Sequence, residues 1–151
     1  MAPPESILEQ ISAVMRVEQY FPPTDSADID QVERELGVPF PHWLRRLYLA
    51  SNGFIGPTGV RYLYRLREPN GMSDFTVFLR QEWADAAWLK HAIIFGENGL
   101  GGSSTVQWGT LDGQLIEWCY GDGIEYQLLN FDVFGLWARE QRMWDELEPT
   151  P

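Results

Sequence analysis

Two periods of apolar residues run along the chain, one of about 3.6 and one of two, and together they predict its elements. In residues 5–18 Ile7, Leu8, Ile11, Val14 and Met15 form one helical stripe, which Phe21-Pro22-Pro23 ends. A second helix starts at Asp25 or Ser26, both good N-caps, with Ile29, Val32 and Leu36 inward and Asp30, Glu33, Arg34 and Glu35 outward. Gly37 is placed to take the left-handed conformation that closes this helix. Pro39 and Pro41 follow, and Pro41 suits the first turn of a third helix over residues 41–51, which carries Leu44, Leu47 and Tyr48 and stops at Asn52-Gly53.

The pattern then shortens. Residues 60–66 alternate, with Val60, Tyr62, Tyr64 and Leu66 on one side and Arg61, Leu63 and Arg65 on the other, as in a strand. Residues 68–71, Glu-Pro-Asn-Gly, read as a turn, and Ser73 as the cap of a helix over residues 74–83, with DFTVFL open to a strand reading and ADAAWLK a possible extension. His91 opens a buried strand, residues 91–95. A glycine-rich loop leads to a strand in STVQWGT, and Asp112-Gly113 is a hairpin turn into a return strand over residues 114–120. Gly121-Asp122-Gly123 turns into IEYQLLNF. Val106, Trp108, Ile116, Trp118, Tyr120, Ile124, Tyr126 and Leu128 are expected on one apolar face; Thr105, Gln107, Leu115, Glu117, Cys119, Glu125 and Gln127 on the other. Asp132 caps a last helix to about residue 146, packed through Val133, Leu136, Trp137, Trp144 and Leu147. The order predicts a single α+β domain over residues 1–151: a mainly antiparallel sheet covered on one face by N-terminal helices and a C-terminal helix. The second face is then left free.

Composition narrows the function classes. With 44% hydrophobic residues, seven Trp, eight Phe and six Tyr, 151 residues suffice for a substantial core. No apolar run is long enough to span a bilayer, and MAPPESILEQ lacks the features of a signal peptide. A single cysteine, Cys119, leaves no internal disulfide, and a reducing cytoplasm is the expected location. The formal net charge of −11 argues against nucleic acid or an anionic membrane as partner and favours a basic protein surface. The charge is segregated. Residues 36–67 hold Arg45, Arg46, Arg61, Arg65 and Arg67 without one acid, whereas residues 91–138 hold Glu97, Asp112, Glu117, Asp122, Glu125 and Asp132 without Lys or Arg. Such separation fits either internal neutralisation between neighbouring elements or an electrostatic docking face.

Catalytic patterns are sparse. The two histidines, His42 and His91, form no HExxH motif, and no CxxC, EF-hand loop or Cys/His cluster occurs, so no metal site and no cofactor are expected. No nucleophile elbow is present, and nothing brings Cys119 to a histidine. The loop FGENGLGGSS has the glycines of a phosphate cradle but no GK[ST] ending, no lysine and no following helix, so it reads as a turn. Among 22 acidic residues some pair always suits acid–base chemistry, which makes that signal empty.

Residues 29–53, IDQVERELGVPFPHWLRRLYLASNG, resemble the start of the SMI1/KNR4 (SUKH) superfamily: an acidic amphipathic helix, an elbow at Leu36-Gly37 with Pro39 and Pro41, a short helix and a closing Asn-Gly. IIFGENGLGG is similar to the family's strand and glycine turn, and the helix after NFDVF to its ending. Family members often carry an acidic residue after the last glycine of the second motif, where this chain has Ser103. The resemblance implies a non-enzymatic α+β domain. It implies, for bacterial members, a cytoplasmic immunity protein that binds and neutralises a toxin of a polymorphic toxin system, many such toxins acting on nucleic acids; fungal members act in cell-wall regulation and signalling. The alternatives are another regulatory or scaffold protein-binding role, and a small-ligand binder or enzyme. The residues expected to contact a basic partner are Glu97, Glu117, Asp122 and Glu125, in or beside the cation-free strands.

Overall fold

Ser6 and Asp25 start the first two helices. The Ser6 hydroxyl accepts the Glu9 N–H at 3.1 Å and opens α1 (Ile7–Val14), and the Asp25 carboxylate accepts the Asp28 N–H at 2.8 Å and opens α2 (Ser26–Leu36). The computed structural model describes residues 6–67, 71–101 and 104–147. Residues 68–70 of the turn expected at 68–71, and Ser103, lie outside them. α1 is shorter than its apolar stripe suggested. Met15 is already extended, and the chain goes on to form a two-residue strand, β1 (Gln19–Tyr20), flanked by hydrogen bonds from Glu18 N–H to the Ile55 carbonyl and from Phe21 N–H to the Gly53 carbonyl. Pairing with a distant strand satisfies the backbone groups that a longer helix would have used.

The elbow forms as expected, with α3 (His42–Ala50) following it. Gly37 has φ +71° and its N–H returns to the Glu33 carbonyl. Glu33, expected on the solvated side, instead ties the elbow: its carboxylate accepts the Phe40 N–H at 3.0 Å and Arg45 Nη1 at 2.7 Å, while Arg45 Nη2 reaches Asp30 at 2.7 Å. A Cβ at Gly37 would meet open space, so Gly37→Val suffers backbone strain and no collision. It is expected to lower stability by about 1–2 kcal/mol, read from the urea midpoint, without disturbing the core.

The strands form two antiparallel sheets. β1, β2 (Phe54–Ile55) and β3 (Arg61–Leu63) make one, in that order; β4 (Ala92–Glu97), β5 (Gln107–Leu111), β6 (Gln114–Trp118) and β7 (Gln127–Leu128) make the other. The Tyr64 N–H donates to the Phe95 carbonyl at 2.7 Å and sets β3 beside β4. The strand expected over residues 60–66 is thus cut to three residues, and Leu63 is buried along with Tyr62 and Tyr64 because both faces are covered. His91 is not in β4; it ends a 3-10 turn (Ala87–His91) and is exposed. DFTVFL is helical, in α4 (Met72–Glu82), whose cap is Gly71; Ser73 lies inside the helix. ADAAWLK does not extend α4. Arg80 joins three elements by donating to the carbonyls of Leu36, Leu89 and Ala92 at 2.9–3.0 Å.

The expected faces of the larger sheet need correction. Asp112 (φ 52°) and Gly113 (φ 81°) form the hairpin turn and set Leu111 opposite Gln114, hence Trp108 opposite Glu117 and Gln107 opposite Trp118. Trp108 therefore shares a face with Glu117, and Gln107 with Trp118; grouping all the aromatic residues together was a slip of one residue, which reverses a strand's sides. Trp83 and Trp88 pack edge-on against Trp118 on the second face, and on the first Trp108 stacks on Tyr62 at 6.2 Å. Both faces carry cover, so the free polar face expected from the sequence is absent. The tail of the apolar pattern, IEYQLLNF, contributes only the two residues of β7.

α5 (Val133–Leu147) closes the fold through Val133, Leu136 and Trp137, with Trp137 edge-on to Phe54 at 4.9 Å. Leu147, expected in the packing stripe, is 63% exposed, and Glu140 is buried in its stead. The core is rich in phenols. The Tyr48 hydroxyl donates to the Tyr64 carbonyl at 2.6 Å, and the Tyr64 hydroxyl to Gln107 Oε1 at 3.0 Å. Burial raises Tyr48 and Tyr64 well above the ordinary phenol value, and pushes Tyr62 up to about 12. Folding holds these groups protonated. Their contribution to stability is intact below the unfolded value of ~10 and is lost as pH climbs through the folded values. Phenolate absorbance in an alkaline titration is expected to show these three appearing late, together with unfolding, after the more accessible tyrosines.

Candidate functional site

The end of β6 and the start of β7 build a recess. Past Trp118 the chain makes a 3-10 turn (Tyr120–Asp122), closed by the Asp122 N–H on the Cys119 carbonyl at 3.0 Å. Two indoles hold the following loop: Trp118 Nε1 donates to the Gly123 carbonyl at 2.9 Å and Trp88 Nε1 to the Ile124 carbonyl at 2.7 Å. A pocket of about 370 Å³ results, walled by Val106, Glu117, Cys119, Asp122, Glu125, Tyr126 and Gln127.

Three of the four carboxylates expected at a partner interface, Glu117, Asp122 and Glu125, meet in this pocket. They differ in state. Asp122 and Glu125 are exposed, and among the described residues neither forms an ion pair. Glu117 is half-buried, pairs with Arg139 of α5 and accepts Trp108 Nε1 at 3.2 Å. Glu97 lies outside the pocket, at the end of β4, where Arg61 Nε approaches at 3.3 Å. Internal pairing also takes up other arginines: Arg45 on Asp30 and Glu33, and Arg67 on Glu35 at 3.1 Å. The segregation of charge along the chain is thus answered in part within the fold, and Asp122 and Glu125 carry what is left over on this side.

Arg139 is the residue that sequence reasoning missed. It pairs with Glu117, lies 3.4 Å from Glu140 and stands over the Phe131 ring at 5.5 Å. Burial, with Glu117 adding to it, raises the Glu140 carboxyl above its usual range, against the pull of Arg139. The signal was available: Arg139 is the first cation after the cation-free stretch.

Cys119 is half-buried in the recess and neither histidine lines the pocket. Among the described residues no group of three or more His, Cys, Asp and Glu is placed to hold a metal. The glycine loop is organised around its own asparagine: Asn98 Oδ1 accepts the N–H groups of Leu100 and Val106 at 3.2 and 3.0 Å. Those amides are taken by a side chain of the loop itself, as in an Asx turn. No described helix is long and apolar enough to cross a membrane.

Residues 23–138 match the model of the SMI1 / KNR4 family (SUKH-1), a span that holds α2, the elbow, α3, α4, strands β2 to β7 and the start of α5. The chain belongs to this family. No curated protein matches the chain.

Proposed function

We propose that this chain is a cytoplasmic immunity protein that binds and neutralises a toxin of a bacterial polymorphic toxin system, one whose toxin acts on nucleic acid through a basic cleft. The observation that carries the reading is the pair of exposed carboxylates, Asp122 and Glu125, that form no ion pair among the described residues, beside Glu117 in one recess of a chain with net charge −11. Charge of one sign without local counter-ions attracts a basic surface over about a Debye length, ~8 Å at physiological salt. It raises the rate of encounter and selects against acidic partners. Family membership supports a protein partner and a non-enzymatic domain. Glu97, paired with Arg61, is a secondary contact in this reading.

Co-expression with the toxin encoded beside the gene tests it. Cells carrying both are expected to grow, and the isolated protein to show no hydrolase, nuclease or transferase turnover. Undiminished killing by the toxin, or a turnover abolished by replacing Cys119, His42 or His91, would contradict the proposal.

A further inference from the structure

The acidic recess is one end of a longer strip. Leu115, Glu117 and Cys119 alternate along β6 and its continuation on one side of the sheet, with Gln127 opposite Glu117 and the Leu129 N–H on the Leu115 carbonyl at 3.0 Å. Glu117 and Cys119 wall the recess, and Leu115 and Leu129 wall a second opening at the other end. This groove has a volume of about 620 Å³ and lies between α3 and the start of α5, with Trp43, Phe131 and Phe134 as further walls. Its frame is held in place. Trp43 Nε1 donates to the Gly113 carbonyl at 3.2 Å, its ring packs edge-on to Phe95, and the Asp132 carboxylate accepts the Gly135 N–H at 2.9 Å. Leu115 and Cys119, at the far ends of the strip, are four residues of extended chain apart, roughly 13–14 Å.

The two ends of the strip differ in charge. Arg46 is exposed on the rim of the groove, and among the described residues it forms no ion pair. At the other end stand Asp122 and Glu125. The groove end carries Arg46 together with the α5-capping carboxylate of Asp132, whereas the recess is walled by carboxylates without a cation; a partner complementary to that pattern binds in one orientation.

We propose that the toxin docks along this strip through a bipartite element: an aromatic or aliphatic side chain seated in the groove beside a carboxylate that meets Arg46, and Lys or Arg side chains about 14 Å away in the acidic recess. The inference rests on the toxin-binding reading and gives it an anchor, since burial of an apolar side chain in a preformed groove supplies affinity that rim charges do not. The acidic end accounts for encounter, the groove for residence.

Arg46 makes the inference separable from attraction by net charge. Arg46→Glu makes an already acidic chain more acidic. If overall charge alone governed binding of a basic toxin, this variant would bind faster and more tightly. Docking along the strip predicts the reverse, because the substituted carboxylate faces the partner's own. Leu129→Ala leaves the charge unchanged and removes one wall of the groove. The test is the dissociation constant and the dissociation rate of the toxin encoded beside the gene, measured on the wild-type chain, Arg46→Glu and Leu129→Ala, with circular dichroism to establish that each is folded. Both variants are expected to bind about tenfold more weakly, and Leu129→Ala to lose its affinity through faster dissociation. Binding within about twofold of wild type by both folded variants, or tighter binding by Arg46→Glu, would overturn the strip while leaving the toxin-binding reading standing. Should Leu129→Ala fail to fold, the sign of the Arg46→Glu effect alone decides. Absence of any complex with the wild-type chain would overturn both readings.

Discussion

Gly96→Ala is expected to be among the most damaging single substitutions in the chain, at about 2–3 kcal/mol, or a fall of about 5–10 °C in Tm for a domain of this size. The cause is space. Gly96 lies where β4 passes β3, at a break in the β4–β5 register, and a Cβ there would run into the carbonyl oxygen of Tyr62. The obstacle is backbone, so it cannot move away as a flexible side chain would. Relief requires β3 to draw back from β4. That movement would loosen the Tyr64–Phe95 hydrogen bond and the stacking of Tyr62 on Trp108. Gly37→Val is the useful contrast, since it strains a dihedral in open space and leaves the two sheets in place. An unchanged urea midpoint for Gly96→Ala would show that the sheets are not joined as described.

The same contrast runs through what the residue pattern could and could not reveal. Several local signals hold: the Asp25 cap, the inward set Ile29, Val32 and Leu36, the left-handed Gly37 and the Asp112-Gly113 turn all sit as the sequence predicts. β1 and β2 were invisible because a two-residue strand has no period, and only a distant partner makes it a strand. The face assignment failed for a different reason. A two-residue turn already dictates that Leu111 pairs with Gln114, so the register was present in the sequence, yet grouping by hydrophobicity overrode it. Glu117 thereby looked like a solvated residue of a free face. Its true partner, Arg139, stands one position beyond the cation-free stretch, on a helix whose neighbour in the fold no local pattern specifies. Glu140, buried beside Arg139, is hidden by the same rule of thumb that placed charged residues outside. Asp122 and Glu125 were singled out through charge distribution alone, which is sensitive to what the rest of the fold fails to neutralise.

The largest functional effect is expected at those two residues, because among the described residues their replacement disturbs no ion pair. The double variant Asp122→Asn/Glu125→Gln keeps the Glu117–Arg139 and Glu97–Arg61 pairs and so should fold as the wild type does. Its loss is confined to the long-range field of the recess. At low ionic strength the toxin is expected to associate on the order of tenfold more slowly than with the wild-type chain, and the gap is expected to close as salt screens the remaining charge. Dissociation, which the proposed docking mode assigns to the apolar groove, is expected to change much less. The decisive measurement is the association rate constant of the adjacent gene's toxin with each protein across a series of salt concentrations. A slower rate and a shallower salt dependence for the double variant are what an acidic docking face predicts; equal rates at every salt concentration would contradict it.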